Sequence, residues 1–270
     1  MELIFLKNNI PVDIVRLRLT MVTILNLVSA LILGAAFADE TLVDSHAPFA
    51  VVELFTSEGC SSCPPADNIF SQIVAWAGQN NLNVLTLGFH VDYWNNLGWI
   101  DRFSDKLYTQ RQQDYANAFG SSSVYTPQVI INGTKALVGS QKQLIVENIE
   151  KMLHKPAAYT INLKLIHQKS NSIEFNYVLS PEASGKFLNT AVIEHNLSSQ
   201  VTRGENAGAT LKHQNVVRYF KSIVLKKNEA TMSLSLNPAW KIKDCSIIIY
   251  LQDPETNEIL GAGQISLNLP

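Results

Sequence analysis

Cysteine is scarce in this chain, with 3 residues in 270, and the patterns typical of a structural zinc site are missing. No second C-x-x-C and no H-x-x-x-H accompanies the pair Cys60 and Cys63, so four protein ligands for zinc are not predicted. The formal net charge is −2 and no basic run alternates with aromatic residues, so we do not expect nucleic acid as a partner. After residue 37 no apolar run is long enough to span a bilayer.

The N-terminal segment has the pattern of an export signal. Basic residues precede an apolar run over residues 21–37, and Ala36 and Ala38 have the spacing that signal peptidase requires. We therefore predict a signal peptide over residues 1–38 and a mature protein in the periplasm or outside the cell, which meets the membrane only through this signal. Because the run is near the length of a membrane span, an uncleaved anchor is the alternative.

Residues 39–155 alternate between strand and helix patterns. Short apolar runs bounded by turn residues predict buried strands, and apolar residues at helical spacing predict helices. The predicted elements are a strand at 49–55, a helix from 63 to about 78, a strand at 83–89, a helix at 104–119, strands at 124–131 and 135–138 joined by an Asn-Gly turn, and a helix from 140 to about 154. This order (β-α-β, a helical insertion, then β-β-α) predicts an α/β thioredoxin-like domain.

Residues 156–270 have a different character, with alternating strands and no helix pattern between them. The predicted strands are 159–166, 172–178, 190–195, 216–224, 231–236, 246–251 and 259–266. Several short strands separated by turn residues predict an all-β sandwich-like domain. The chain is thus divided into a signal peptide, a thioredoxin-like domain and a sandwich-like domain.

The pair Cys60 and Cys63 lies between a predicted buried strand and a predicted helix. A C-x-x-C in that position is typical of a redox-active disulfide. Backbone N–H groups at the start of a helix stabilise a thiolate, so Cys60 is the predicted nucleophile and Cys63 the residue that resolves the mixed disulfide. The alternatives are a static disulfide and half of a metal site.

Two further positions complete the predicted catalytic set. We expect Pro127 to follow a cis peptide bond at the start of its strand, next to the cysteine pair, with Thr126 and Tyr125 beside it as substrate-binding residues. Glu53 is an acid in an apolar strand, where a charge is costly without a partner. We predict that it carries the proton of Cys63; the alternative is a side chain that reaches solvent at one face of the sheet.

The segment HVDYW, residues 90–94, adds two candidates. Trp94 belongs to an aromatic group that forms either a platform for a bound peptide or a small core for the helical insertion. His90 ends the second strand, where it could deprotonate a thiol. Together with Cys60 and Cys63 it could instead bind copper.

Three other features are interpreted as structural. The polar loop at 203–208 is expected to be a hydrogen-bonded loop that supports the other domain. Cys245 enters an apolar strand and is expected to be a buried, inert thiol. Arg111 and Gln112, on the inserted helix, are expected to face solvent.

Long segments of this sequence resemble the DUF1223 family of secreted thioredoxin-like proteins. The segments are VELFTS (52–57), GCSSCPPAD (59–67), HVDYW (90–94), VYTPQ (124–128), RGEN (203–206) and NVVR (215–218). The resemblance runs from about Val51 to the C-terminus and implies a thioredoxin-like fold, export and a C-x-x-C site, but no substrate. Ser61 and Ser62 between the cysteines, and the long separation of Cys60 from Pro127, differ from thioredoxin itself.

The sequence therefore predicts an exported thiol–disulfide oxidoreductase that acts on a protein or a small thiol. Its own disulfide is the expected redox group, with no added cofactor. One alternative is a copper-binding module built on Cys60, Cys63 and His90. The other is a non-catalytic, structural thioredoxin-like domain.

Overall fold

The computed structural model of the chain describes residues 46–267. The predicted signal peptide at 1–38 lies outside these residues. Within the described part of the chain, no helix has both the length and the apolar character needed to cross a membrane.

The first half has the predicted order of elements. They are β1 (Ala50–Thr56), α1 (Cys63–Gln79), β2 (Val84–His90), α2 (Lys106–Ala118), β3 (Gln128–Ile131), β4 (Lys135–Val138) and α3 (Lys142–Leu153). The strand predicted from residue 124 begins only at Gln128, because the preceding residues form the loop that carries Pro127. Asn132 and Gly133 make the predicted tight turn between β3 and β4, with φ of 44° and 73°.

The second half is composed of strands, apart from one short 3-10 turn at Ile242–Asp244. They are β5 (Thr160–Lys169), β6 (Ser172–Ser180), β7 (Phe187–Glu194), β8 (Leu197–Gln200), β9 (Thr210–His213), β10 (Val216–Val224), β11 (Glu229–Ser235), β12 (Cys245–Gln252) and β13 (Ile259–Ser266). All seven predicted strands are present. The hairpin of β8 and β9 was not predicted, because two four-residue strands carry too little alternation to stand out.

One eight-stranded sheet runs through both halves of the chain, in the order β13-β12-β7-β10-β2-β1-β3-β4. β1 is parallel to β2 and antiparallel to β3. β10 joins the halves by pairing with β2 in parallel, at Val216 and Gly88. The described residues accordingly belong to one compact unit, a mixed α/β structure with a large mixed sheet and few helices.

The remaining strands, in the order β11-β6-β5, form a second sheet. Its apolar residues, such as Phe175, share a core with Ile249 of β12 and Val192 of β7. The predicted face-to-face packing of two sheets is therefore present. In addition, β7, β10, β12 and β13 extend the sheet of the first half. Pairing with β10 covers the edge of β2, which would otherwise be open to other chains.

Side chains of β1 alternate between the two faces of the sheet. Leu54 packs with Phe70 of α1 on one face. Phe55 packs with Tyr115 of α2 on the other face. Glu53 has the same parity as Phe55, so it points towards α2 and away from α1.

Candidate functional site

Cys60 and Cys63 form a disulfide at the start of α1, with Cα atoms 5.4 Å apart. Cys63 is the first residue of the helix, and the prolines that follow it suit a first turn because their missing N–H groups would have no partner there. The backbone N–H of Cys63 donates to the carbonyl oxygen of Cys60 at 3.1 Å. Both cysteines are 0% exposed, so solvent does not reach the disulfide in this conformation.

The loop before β3 lies against the cysteine pair. The peptide bond between Thr126 and Pro127 is cis, as predicted. The Sγ of Cys60 is 4.0 Å from the carbonyl oxygen of Thr126, and the hydroxyl of Ser62 donates to the same oxygen at 3.4 Å. The indole N–H of Trp94 donates to Oγ1 of Thr126 at 2.8 Å. The structure therefore brings Thr126 and Trp94 together beside Cys60.

Tyr125 and Pro127 are fixed by neighbouring backbone and by α2. The Tyr125 side chain is 41% exposed, while its carbonyl oxygen accepts a hydrogen bond from Gln112 at 2.7 Å. Gln112 is fully buried and also donates to Oε1 of Gln128 at 2.9 Å. The expectation that Gln112 faces solvent is wrong, because its amide holds this loop. The carbonyl oxygen of Pro127 accepts a hydrogen bond from the N–H of Gly139 at 2.9 Å.

Glu53 is paired on the opposite face of the sheet. Its Oε1 accepts a hydrogen bond from Nε of Arg111 at 2.8 Å, and the hydroxyls of Tyr115 and Tyr250 donate to its two oxygens. Burial acts to lower the pKa of Arg111, but the charge of Glu53 and the two tyrosine hydroxyls together outweigh it, so the pKa is raised. The expected solvent exposure of Arg111 is therefore wrong. The structure also places Glu53 away from α1, so its position gives no support to a role at Cys63.

Five buried ionisable side chains gather around the first turns of α1. We call them the buried polar cluster; they are Glu58, Asp67, His90, Asp101 and His213, none more than 6% exposed. His213 lies between two of the carboxylates, with Nε2 at 3.3 Å from Glu58 and Nδ1 at 3.7 Å from Asp67. The rings of His90 and His213 meet edge to face, with centroids 4.7 Å apart.

Asp67 is the acid of this cluster that lies on the cysteine helix. It is four residues after Cys63, so the two side chains share one face of α1. The hydroxyl of Thr56 donates to its Oδ1 at 2.9 Å. Burial raises the pKa of Asp67 to about 6, although the charge of His213 acts in the opposite direction. An acid with this pKa can donate or accept a proton near neutral pH.

Glu58 and Asp101 are held ionised by their partners. Burial acts to raise the pKa of Glu58, but the close contact with His213 and the hydrogen bond from Trp99 bring it below the ordinary value; the Trp99 indole donates at 2.8 Å. Burial likewise acts to raise the pKa of Asp101, and the charge and hydrogen bond of His90 lower it overall. Nδ1 of His90 is 2.6 Å from Oδ2 of Asp101.

The predicted copper ligands are not assembled in this structure. Cys60 and Cys63 are bonded to each other, and His90 is held by Asp101. Over residues 46–267, no group of three or more His, Cys, Asp or Glu side chains is arranged to hold a metal ion. Copper binding by Cys60, Cys63 and His90 would require reduction of the disulfide and release of His90 from Asp101.

The loop between β8 and β9, residues 203–208, covers the cysteine pair, and we call it the cover loop. The side-chain amide of Asn206 donates to the carbonyl oxygen of Cys60 at 3.0 Å. A carboxylate oxygen of Glu205 accepts a hydrogen bond from the N–H of Ser61 at 2.9 Å. This is the hydrogen-bonded loop that the sequence predicted, and it supports the cysteine turn itself.

Cys245, the remaining cysteine, is free and buried. Burial raises the pKa of its thiol to about 12, so it is protonated and unreactive at neutral pH. The expectation of a buried thiol is confirmed.

These features define a mixed α/β protein with a buried disulfide at the start of a helix, next to a cis-proline loop and a cluster of ionisable groups. The chain belongs to the family described as a protein of unknown function, DUF1223, whose sequence profile matches residues 51–252. No curated protein matches the chain.

Solved structures similar to this chain include the following two. The crystal structure of protein AGR_C_4864 from Agrobacterium tumefaciens is 27% identical and covers 82% of this chain and 95% of its own, with a TM-score of 0.61. A domain of the outer membrane lipoprotein Omp28 from Porphyromonas gingivalis is 12% identical and covers 42% of this chain and 89% of its own. Its TM-score of 0.27 is too low to support an argument.

Proposed function

We propose that this protein is an exported thiol–disulfide oxidoreductase whose first half has a thioredoxin-like fold. The observation that carries the proposal is the disulfide at the start of α1, with Cys60 4.0 Å from the carbonyl oxygen of Thr126 and next to the cis peptide bond of Pro127. The order of the elements from β1 to α3 supports the fold assignment. The basic and apolar pattern of residues 1–38 supports export to the periplasm or beyond.

The proposed reaction is thiol–disulfide exchange with a protein dithiol or two small thiols. A substrate thiolate attacks Sγ of Cys60, a mixed disulfide forms, and the bond to Cys63 breaks with its electron pair left on the Cys63 sulfur. A second substrate thiolate then attacks the mixed disulfide and releases Cys60 as a thiolate. The substrate is oxidised by two electrons and the cysteine pair is reduced. The same steps in reverse reduce a substrate disulfide.

Each neighbouring group has a defined part in this scheme. The carbonyl oxygen of Thr126 offers a backbone acceptor to an approaching peptide, and Trp94 fixes the Thr126 side chain. The exposed ring of Tyr125 offers contact area to a substrate. We assign the supply of a proton to the Cys63 thiolate to Asp67 rather than to Glu53, because Asp67 lies one turn after Cys63 on α1 and its pKa is raised to about 6.

A second candidate function is a structural disulfide that does not turn over. It is favoured by the complete burial of Cys60 and Cys63 and by the hydrogen bonds from the cover loop. In the catalytic proposal, the cover loop has to move aside before a substrate sulfur can reach Cys60. The two functions therefore differ in how readily the disulfide exchanges with thiols.

The deciding experiment is the equilibrium of the chain from residue 39 onward with a series of glutathione redox buffers, with alkylated thiols counted by mass. A Cys245→Ser variant leaves only the cysteine pair to be counted. We expect a potential above about −270 mV, within the range of known thiol oxidoreductases. A value below about −300 mV is typical of structural disulfides and would overturn the catalytic proposal in favour of the second candidate.

A further inference from the structure

His213 is buried without a hydrogen bond of normal geometry on either ring nitrogen. The two oxygens it faces, Oε1 of Glu58 and Oδ2 of Asp67, are buried and unbonded in the same way. Four such atoms in one place are unusual, because buried polar groups in folded proteins nearly always have a partner. Such an arrangement suits a proton that moves between the imidazole and the two carboxylates better than it suits a fixed hydrogen bond.

The groups around His213 come from several elements. Glu58 approaches from the loop after β1 and Asp67 from α1. His90 of β2 lies edge to face with it, and Nδ1 of His90 is bonded to Asp101. The ring of Phe103 closes another side, with centroids 5.8 Å apart. Two carboxylates thus compete for one imidazole in a site shielded from water, where charges interact strongly.

We infer that His213 is a positioning residue for the cysteine chemistry, acting through Asp67 on the proton that Cys63 gains on reduction and loses on oxidation. This inference rests on the proposed function. When the bond between Cys60 and Cys63 breaks, the electron pair stays on the sulfur of Cys63 and the proton comes from the Asp67 carboxyl. The carboxylate left behind then lies against His213, which stabilises its charge.

Part of the site would then belong to the second half of the chain. His213 ends β9, and β9 packs against α1, which carries Cys63 and Asp67. Because His213 lies against both Glu58 and Asp67, it connects the loop that precedes Cys60 with the helix α1 that follows it. The ring therefore influences Cys63 through Asp67.

The test is the reduction potential of the pair as a function of pH, in glutathione buffers, for the chain from residue 39 onward. We expect the wild-type plot to change slope where Asp67 titrates, because the number of protons taken up on reduction changes there. In His213→Gln this break moves to higher pH, because the charge that favours ionised Asp67 is gone. In Asp67→Asn the break is lost.

His195→Gln is the matched control. His195 is a half-buried histidine of the second half that is bonded to Asn215 and Ser246, outside the buried polar cluster. Its variant should keep the wild-type break. If the break in His213→Gln coincides with that of the wild type, the inference is wrong.

A second measurement needs no substitution at His213 and so does not depend on the folding of that variant. In the wild-type protein, the ring nitrogen signals of His213 and the carboxyl carbon signal of Asp67 are followed by NMR against pH. We expect the His213 ring signals to change at the pH where Asp67 titrates, and ring signals that do not respond there overturn the inference. A response at that pH together with a potential below about −300 mV would overturn the proposed function alone.

Discussion

At the scale of single residues, Asp67 shows how burial sets the pH dependence of stability. Its pKa is raised from 3.8 to about 6 in the folded chain, mainly by burial. At pH values between these two pKa values, the folded protein therefore binds the proton of Asp67 more tightly than the unfolded chain does. The stabilisation is fully present below about pH 4 and is lost as the pH rises through 6, by an amount on the order of 3 kcal/mol.

Asp67→Asn should remove this part of the pH dependence. Because the amide stays neutral, we expect the variant to lack the wild type's loss of stability between about pH 4 and 6. The measurement is the free energy of unfolding in urea from pH 4 to 8, with the disulfide intact. Asp114→Asn, at an exposed position of α2, serves as the control and should keep the wild-type slope. Parallel curves for wild type and Asp67→Asn would contradict the assignment.

The sequence shows that Glu53 needs a partner, but it does not show which residue is that partner. An acid in an apolar strand has to be neutralised, and Arg111 neutralises it. The partner comes from the helix that packs on the same face of β1 as the Glu53 side chain. The sequence does not show on which face α1 and α2 pack. Asp67 was missed although its spacing from Cys63 is visible in the sequence, since burial, which raises its pKa, is a property of the fold.

At the scale of elements, the hairpin of β8 and β9 is the piece that completes the site. It carries the cover loop at its tip and His213 at its end. Hydrophobic periodicity predicted β1, α1 and β2 well, because each is long and consistently buried on at least one face. It missed the hairpin, whose strands LSSQ and TLKH bury only one and two residues.

Loosening the cover loop should expose the disulfide. Asn206 donates to the carbonyl oxygens of Glu58 and Cys60, and Asn206→Ala removes both hydrogen bonds. At a net value of about 1 kcal/mol for each bond, the open population rises roughly tenfold or more. We expect the disulfide to be reduced faster by the same factor under limiting dithiothreitol, as followed by alkylation and mass.

The control for this prediction is Lys212→Ala, at an exposed position of the same hairpin. Its reduction rate should match that of the wild type. Equal rates for Asn206→Ala and wild type would mean that the cover loop does not limit access to Cys60.

At the scale of the whole molecule, the first half depends on the second for its core. Phe89 and Tyr108 pack with Ile193 and Tyr250 in one cluster, and β10 covers the edge of β2. The sequence showed the change of element type near residue 156 but not the shared sheet. The pairing of β10 with β2 joins strands that are far apart in sequence, so short-range sequence patterns do not predict it.

A fragment of residues 39–155 is therefore expected not to fold as an independent domain. It would expose the edge of β2 and the apolar face that Ile193 and Tyr250 cover. The measurement is thermal unfolding by circular dichroism, compared with residues 39–270. A cooperative transition in the soluble fragment, at a temperature close to that of the longer chain, would contradict this.

The contact between Asn206 and Cys60 spans 146 positions of sequence, and this separation has a consequence in time. A chain is made from its N-terminus, so the cysteines emerge before the hairpin that covers them. During that interval the pair is open to any thiol or oxidant in its surroundings. The hairpin of β8 and β9 then covers the pair in whichever oxidation state it has reached by that point.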